Sequence, residues 1–172
     1  MTGKRAFTLV ELIIVIIILG ILAALAIPQF VSSTKDAQEA TLRGDLAVLR
    51  NAINLYYHQH GSTYPGAVKV DGTGNATGSA DNPVALVNQL TLYTDKNGKT
   101  SASLDRTLYP FGPYLMKGIP DNPLAAAGAT ANSVSVVTDT GAVTADGTPT
   151  TGWKYSKATG QIIANVAAYQ GW

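Results

Sequence analysis

The sequence has no cysteine, only two histidines and a nearly balanced set of charges. Without cysteine there is no disulfide, no thiolate zinc site and no thiol nucleophile. A domain placed outside the cytoplasm must then hold its loops by other means. With 12 Lys+Arg against 11 Asp+Glu the net charge is +1, so no field gathers nucleic acid over the whole chain. His58 and His60 stand two apart on a predicted helix, project to different faces, and cannot grip one metal together. Both read as exposed residues at a helix end. They are the only histidine bases available, and no Ser/His/Asp set surrounds them. There is no phosphate-binding loop, and Gly72-Thr73-Gly74 neither follows a predicted strand nor precedes a helix. Carboxylates are scattered. No enzyme is expected.

The chain does have one long apolar run, Phe7 to Ile27, with a single charge in it, Glu11. Roughly 20 apolar residues suffice to cross a bilayer core. Lys4 and Arg5 stand before the run and Pro28 after it. A secretory signal peptide would have a shorter apolar core and a small-residue cut site; here that site would follow Ala26. A plain signal anchor would leave Lys4 and Arg5 in the cytoplasm and export the rest. Neither needs Glu11. A carboxylate inside a spanning helix costs about 2.5–3.5 kcal/mol at the centre and less near the end, and usually has a functional partner.

Beyond Pro28 the pattern stays helical. Over residues 35–60, Leu42, Leu46, Leu49, Ile53 and Tyr56 recur at steps of four and three and form one apolar stripe. Asp36, Glu39, Arg43, Asp45 and Arg50 avoid that stripe and read as a solvated face. Pro28 is expected to kink the helix and free a carbonyl. Gly61 and the Tyr64-Pro65-Gly66 turn stop it.

Residues 66–82 are small and polar and read as a loop. Asn82-Pro83 is expected to start a short helix over Val84 to Leu92, with Val84, Leu86 or Val87, and Leu90 inward. Residues 108–124 hold four prolines and two glycines and can be neither helix nor central strand. Their Tyr109, Phe111, Tyr114, Leu115 and Ile119 are expected to cover the core as an ordered loop. Residues 133–138 have strand character. Residues 152–156 and 161–165, joined by Ala158-Thr159-Gly160, predict a hairpin.

Lys4-Arg5-Ala6, then Phe7-Thr8-Leu9-Val10-Glu11-Leu12, the Ile/Val/Leu run and Ala26-Ile27-Pro28-Gln29-Phe30 resemble the N-terminus of type IV pilins and type II secretion pseudopilins. The resemblance covers about the first 31 residues. A weaker likeness to major pseudopilins lies in YLMKGIPDNPL and GWKYSKATGQIIAN. The resemblance implies an α+β, pilin-like fold: a long N-terminal helix whose C-terminal half packs on a small antiparallel β-sheet. It implies a leader over residues 1–6, a transmembrane or filament-core helix over 7–28, an amphipathic continuation over 29–61, and a periplasmic or extracellular globular domain over 62–172.

It further implies cleavage between Ala6 and Phe7 by a prepilin peptidase and N-methylation of Phe7. The family usually has glycine before the cut, and this chain has Ala6. The implied role of Glu11 is assembly, its carboxylate meeting the Phe7 amine of a neighbouring subunit. The implied partners are a homo-oligomeric filament, inner-membrane assembly machinery and, before assembly, membrane lipid; the implied location is the inner membrane, single-pass. Family pseudopilins hold calcium in a C-terminal loop, which points to Asp139 and Asp146 here, although the loop does not match residue for residue.

The expected function is that of a pseudopilin subunit in a type II secretion-like system. A type IV pilus subunit for adhesion, motility or DNA uptake is the alternative. A monomeric membrane-anchored binding module, with a ligand site lined by Tyr56, Tyr57, Tyr64, Tyr109, Phe111 and Tyr114, is the reading from another class.

Overall fold

The computed structural model describes residues 8–76 and 78–172. The chain divides into two compact units, residues 1–38 and 39–172, and helix α1 (Leu9–Gln59) contributes to both. In the first unit every described residue up to Ala37 is exposed. The apolar side chains from Leu9 to Val31 are 42–73% exposed. Among the described residues none covers a side of this part of the helix. Pro28 lies inside α1, where it has no N–H to offer the carbonyl of Ala24. One turn on, Ser32 donates to the Gln29 carbonyl at 3.0 Å and Thr34 to that of Phe30 at 2.9 Å, as serine and threonine do within helices.

In the second unit α1 is amphipathic as expected. Leu42, Leu46, Leu49, Ile53 and Tyr56 are all buried, with Ala52 beside them. They pack on Leu86, Leu90, Leu115, Val134, Trp153, Tyr155, Ile162 and Ala164, which together form the core. A residue advances about 100° around an α-helix. Glu39, Arg43 and Arg50 therefore lie on one flank of the buried stripe, and Asp45, Val48 and Leu55 on the other.

Helix α2 runs Gly78–Thr91 with Pro83 inside it, so it begins before the Asn82-Pro83 start expected from sequence. Leu86 and Leu90 face the core, but Val84 is 53% exposed, and the third inward position is taken by Ala85. Strands β1 (Tyr93–Thr94) and β2 (Thr100–Ser101) form a small antiparallel pair. Strands β3 (Thr130–Val137), β4 (Thr151–Ser156) and β5 (Ile162–Ala164) form a second sheet in the order β3-β4-β5. The expected hairpin is β4–β5, antiparallel, with Trp153 opposite Ala164 and Tyr155 opposite Ile162. Strand β3 joins β4 in parallel. A parallel partner needs a crossover of about a dozen residues, and the segment between Val137 and Thr151 supplies it. The register shifts between Thr130 and Val134, where a Cβ on Gly152 would sit 1.9 Å from the Ala131 carbonyl oxygen. Glycine is required there by close approach.

The proline-rich loop covers the core with three of the five side chains expected to do so; Tyr109 and Phe111 lie outside the core cluster. Leu115 is buried, and Tyr114 and Ile119 pack against the cluster. Trp153 donates its indole N–H to the Pro120 carbonyl at 2.8 Å. Gln89, fully buried, ties two loops with three bonds. It accepts from the Gly66 N–H at 2.7 Å and donates to the carbonyls of Val68 at 3.0 Å and Gly98 at 2.9 Å.

His58 is exposed as expected, but His60 is 4% exposed. Its ring stacks on Tyr56 at 3.7 Å. Nδ1 lies 2.9 Å from the Tyr56 carbonyl and Nε2 3.0 Å from the Thr94 hydroxyl. A carbonyl only accepts, so Nδ1 carries the proton and Nε2 accepts from Thr94. Burial pushes the His60 pKa below 6.5 and outweighs the Tyr56 carbonyl and Asp95, which act the other way. A base with a depressed folded pKa contributes stability that is complete above its unfolded pKa and is lost as pH falls through the folded one. The Tm of the detergent-solubilised full chain should therefore fall as pH drops below about 6.5, and fall less in His60→Gln. Parallel losses in the two proteins would show that another group is responsible.

Candidate functional site

The first turn of α1 is closed by a reciprocal pair. The Thr8 backbone N–H and hydroxyl donate to Glu11 Oε2 at 2.9 and 2.8 Å, and the Glu11 N–H meets the Thr8 hydroxyl oxygen at 3.3 Å. This is a capping box, with Thr8 as cap and Glu11 three residues on. It satisfies N–H groups that a helix start otherwise leaves open. The sequence carried the signature, Thr-x-x-Glu ahead of an apolar run. Oε1 of Glu11 has no partner among the described residues. Ala6 and Phe7 lie outside the described residues. Thr8 stays in the chain after a cut before Phe7, so the cap does not depend on the leader. Gly20, in the same exposed stretch, has nothing within 4 Å of its Cβ position.

Asp139 and Asp146 both lie in the β3–β4 crossover. The Asp146 carboxylate is engaged at both oxygens: Lys154 Nζ sits 2.6 Å from Oδ1, and Asn165 Nδ2 donates to Oδ2 at 2.9 Å. These two donors hold its pKa below the usual carboxylate range. Asn165, fully buried, also accepts from the Asp146 N–H at 2.8 Å and donates to the Thr151 hydroxyl at 3.0 Å. The Asp139 contact to the sheet is through its carbonyl, which accepts from the Ser156 hydroxyl at 2.6 Å. Gln161 and Gln170 side chains accept from the N–H groups of Val143 and Ala145, at 2.9 and 2.8 Å. Calcium wants six to eight oxygens. Here an ammonium stands against the one committed carboxylate, and no group of three or more acidic, histidine or cysteine side chains gathers among the described residues. The residues present do not fit a calcium ion in this arrangement.

Of the charges expected to form a solvated face, Glu39, Arg43 and Arg50 are used within the chain, while Asp36 is exposed. Arg50 donates to the carbonyls of Ile162, at 3.3 Å, and of Trp172. The Arg43 guanidinium lies 4.0 Å over the Trp172 ring, and the Tyr169 hydroxyl donates to Glu39 Oε1 at 3.2 Å. Sequence periodicity places these residues on one flank but does not show what covers it. Four of the six aromatics considered for a ligand site pack on one another in pairs. Tyr57 stacks on Tyr64 at 4.4 Å, and Tyr114 meets Tyr56 edge-on at 5.6 Å. Burial pushes the Tyr114 pKa up to about 12, and its hydroxyl donates to Gln59 at 2.6 Å.

Residues 1–27 match the family model described as the prokaryotic N-terminal methylation motif. The type II secretion system core protein G of Pseudomonas aeruginosa is 42% identical over 53 residues, 31% of this chain and 37% of that protein. That of Klebsiella pneumoniae is 37% identical over 65 residues, 38% of this chain and 46% of that protein. The type IV narrow pilus major component PilA5 of Thermus thermophilus is 48% identical over 48 residues, 28% of this chain and 41% of that protein. The chain thus spans less than half the length of these curated relatives. No solved structure matches it.

Lys154→Met removes the ammonium and leaves Asp146 with Asn165 alone. Loss of a hydrogen bond to a charged group costs about 1–3 kcal/mol, and thermal unfolding should show a lower Tm. Calcium and a calcium chelator should both leave the wild-type Tm unchanged. A rise with calcium would put a cation at Asp146 after all.

Proposed function

We propose, from an N-terminal region of the pilin and pseudopilin type, that this chain is a structural filament subunit. In this reading it is made as a prepilin-type precursor, cut between Ala6 and Phe7 by a prepilin peptidase, N-methylated at Phe7, and used as a pseudopilin of a type II secretion-like system. The observation that carries it is the first unit of α1, an apolar helix surface exposed on every side and headed by the Thr8–Glu11 cap. In this reading the helix rests in the inner membrane as a single pass, with the second unit outside the cytoplasm, and moves into a filament core on assembly. The subunit performs no catalysis.

Before assembly the Thr8 bonds reduce the cost of holding Glu11 near the lipid, since part of the carboxylate is already hydrogen-bonded. After cleavage the new Phe7 amine of one copy meets the open Oε1 of Glu11 on a neighbour. An amine and a carboxylate paired away from water fix register, because a slipped copy leaves both charges unmatched. Pro28, with the unpaired carbonyl before it, lets the two parts of α1 take different directions in the filament.

Mass spectrometry of the mature chain should find N-methylated Phe7 at its start. An intact Met1, or a cut after Ala26, would exclude the reading. Glu11→Ala should be processed normally yet yield few or no filaments; wild-type filament numbers would remove the assembly role. A deletion strain should retain exoproteins in the periplasm. Loss of surface filaments with normal secretion would instead favour the pilus subunit, the reading to which the similarity with the Thermus pilus component lends weight.

A further inference from the structure

The flank of α1 opposite Glu39, Arg43 and Arg50 is not covered. Asp45 and Val48 on the helix, and Leu115, Met116, Lys117 and Pro120 on the proline-rich loop, line a groove of about 470 Å³. Val48 is 52% exposed and Met116 83%. Asp45 edges it, the exposed Asp121 follows Pro120 directly, and neither has a cation, Lys117 included, at ion-pair distance among the described residues. Burial and the negative charge of Asp121 both raise the Asp45 pKa. An apolar groove edged by two uncompensated carboxylates is a poor surface to leave in water and a good one for an apolar knob carrying a cation.

The same unit has such a knob. Between β2 and Phe111 the chain exposes Leu104 (54%), Arg106 and Leu108 (63%). The loop is preformed. The Asp105 carboxylate accepts from the N–H groups of Thr107 and Leu108, at 2.9 and 3.1 Å, and the Asp105 carbonyl from that of Tyr109 at 2.7 Å. Little ordering entropy is then lost on docking. The Arg106 guanidinium has no ion pair among the described residues. It is the side chain best suited to bridge two carboxylates, because its donors form a fixed fork.

The two surfaces are offset along the helix. The knob leads into Phe111, whose ring lies 5.2 Å from that of His60. Asp45 stands about 15 residues earlier on the helix, ~22 Å at 1.5 Å per residue. A contact between different surfaces so displaced is heterologous, and such contacts build rings or open helical arrays rather than two-fold pairs.

We infer that the Leu104–Leu108 knob of one copy docks in the Asp45–Met116 groove of the next, with Arg106 between Asp45 and Asp121. This rests on the filament-subunit reading and adds a second contact to it, made by the globular units. The lack of cysteine makes it directly testable in assembling cells. One full-length chain carries Leu108→Cys and a second carries Met116→Cys, and the two are co-expressed. Oxidation should give a covalent dimer only when both are present.

Homodimers of either single variant at equal yield would show a symmetric contact and overturn the proposal. So would filaments with no cross-link at all, which would leave the groove to another molecule while the filament reading stood. Absence of both filaments and processed Phe7 would instead sink the filament reading. Independently, Arg106→Glu should cut filament yield at least tenfold, and adding Asp45→Lys and Asp121→Lys should restore it. Unchanged yield in Arg106→Glu, or no recovery in the triple variant while its Tm matches wild type, would refute the charge pairing.

Discussion

An apolar helix surface that the chain does not cover sets the terms for the rest of the molecule. From Leu9 to Val31 the side chains are large, aliphatic and exposed on all sides, and each buried CH₂ is worth about 0.8 kcal/mol. In the proposed filament-subunit reading such a surface meets lipid before assembly and other copies of itself after it. Only a helix allows both, since its backbone groups are satisfied within the segment whatever surrounds it. The weak points of that arrangement are the helix start and the proline. The Thr8–Glu11 box closes the first, and the Ser32 and Thr34 hydroxyls occupy carbonyls just past the second. Glu11 is thus a local cap as well as the proposed contact to a neighbour, and the two uses draw on different oxygens.

The second unit solves the problem posed by the missing cysteines with buried amides. Gln89 joins two loops, Asn165 fastens Asp146 and Thr151, and Asn122 donates to the Gly152 carbonyl at 2.7 Å while accepting from the Leu124 N–H at 2.9 Å. An amide suits this work because it has two donors and an acceptor in one plane and carries no charge to desolvate. Among the described residues no buried side-chain polar atom lacks a partner. The network is therefore of the fully satisfied kind that rigidifies a fold. The Gly98 position shows how close the packing is. Its φ is +83°, and a Cβ there would stand 2.7 Å from the Tyr56 hydroxyl and 3.0 Å from Gln89 Nε2.

Sequence reasoning succeeded where one local period decided the outcome. The Leu42–Tyr56 stripe, the β4–β5 hairpin and the proline-rich cover all follow from spacing or from proline's missing donor. The resemblance over the first 31 residues gave the α+β, pilin-like architecture. What escaped depends on contacts between distant residues. The parallel pairing of β3 is set by the crossover and by Gly152. His60 is buried because β1 brings Thr94 to it. Asp146 has the look of a calcium ligand in sequence, but Lys154 reaches it across the sheet. The start of α2 escaped for a different reason: Asn-Pro is a strong helix-start signal, and here the helix runs through it. The capping box was legible and passed over, because Glu11 drew attention as a charge in an apolar run rather than as the fourth residue of Thr-x-x-Glu.

The division of α1 around its axis ties these observations together. About 80° of the helix, from Tyr56 to Leu46, faces the unit's own core. The flank bearing Glu39, Arg43 and Arg50 is taken by the Tyr169–Trp172 segment, and its charges are matched inside the chain. The opposite flank has the same helical offset, the same mix of apolar and charged residues, and a wall in Leu115–Pro120, yet nothing covers it. A fold that uses hydrogen bonds and a cation–π contact on one flank has no evident need to leave Asp45 and Asp121 facing each other on the other. Two like charges held together raise the free energy of the isolated subunit, and a cation from a neighbour relieves it. In the proposed array the instability of the single copy favours assembly, as the exposed first unit of α1 does on a larger scale.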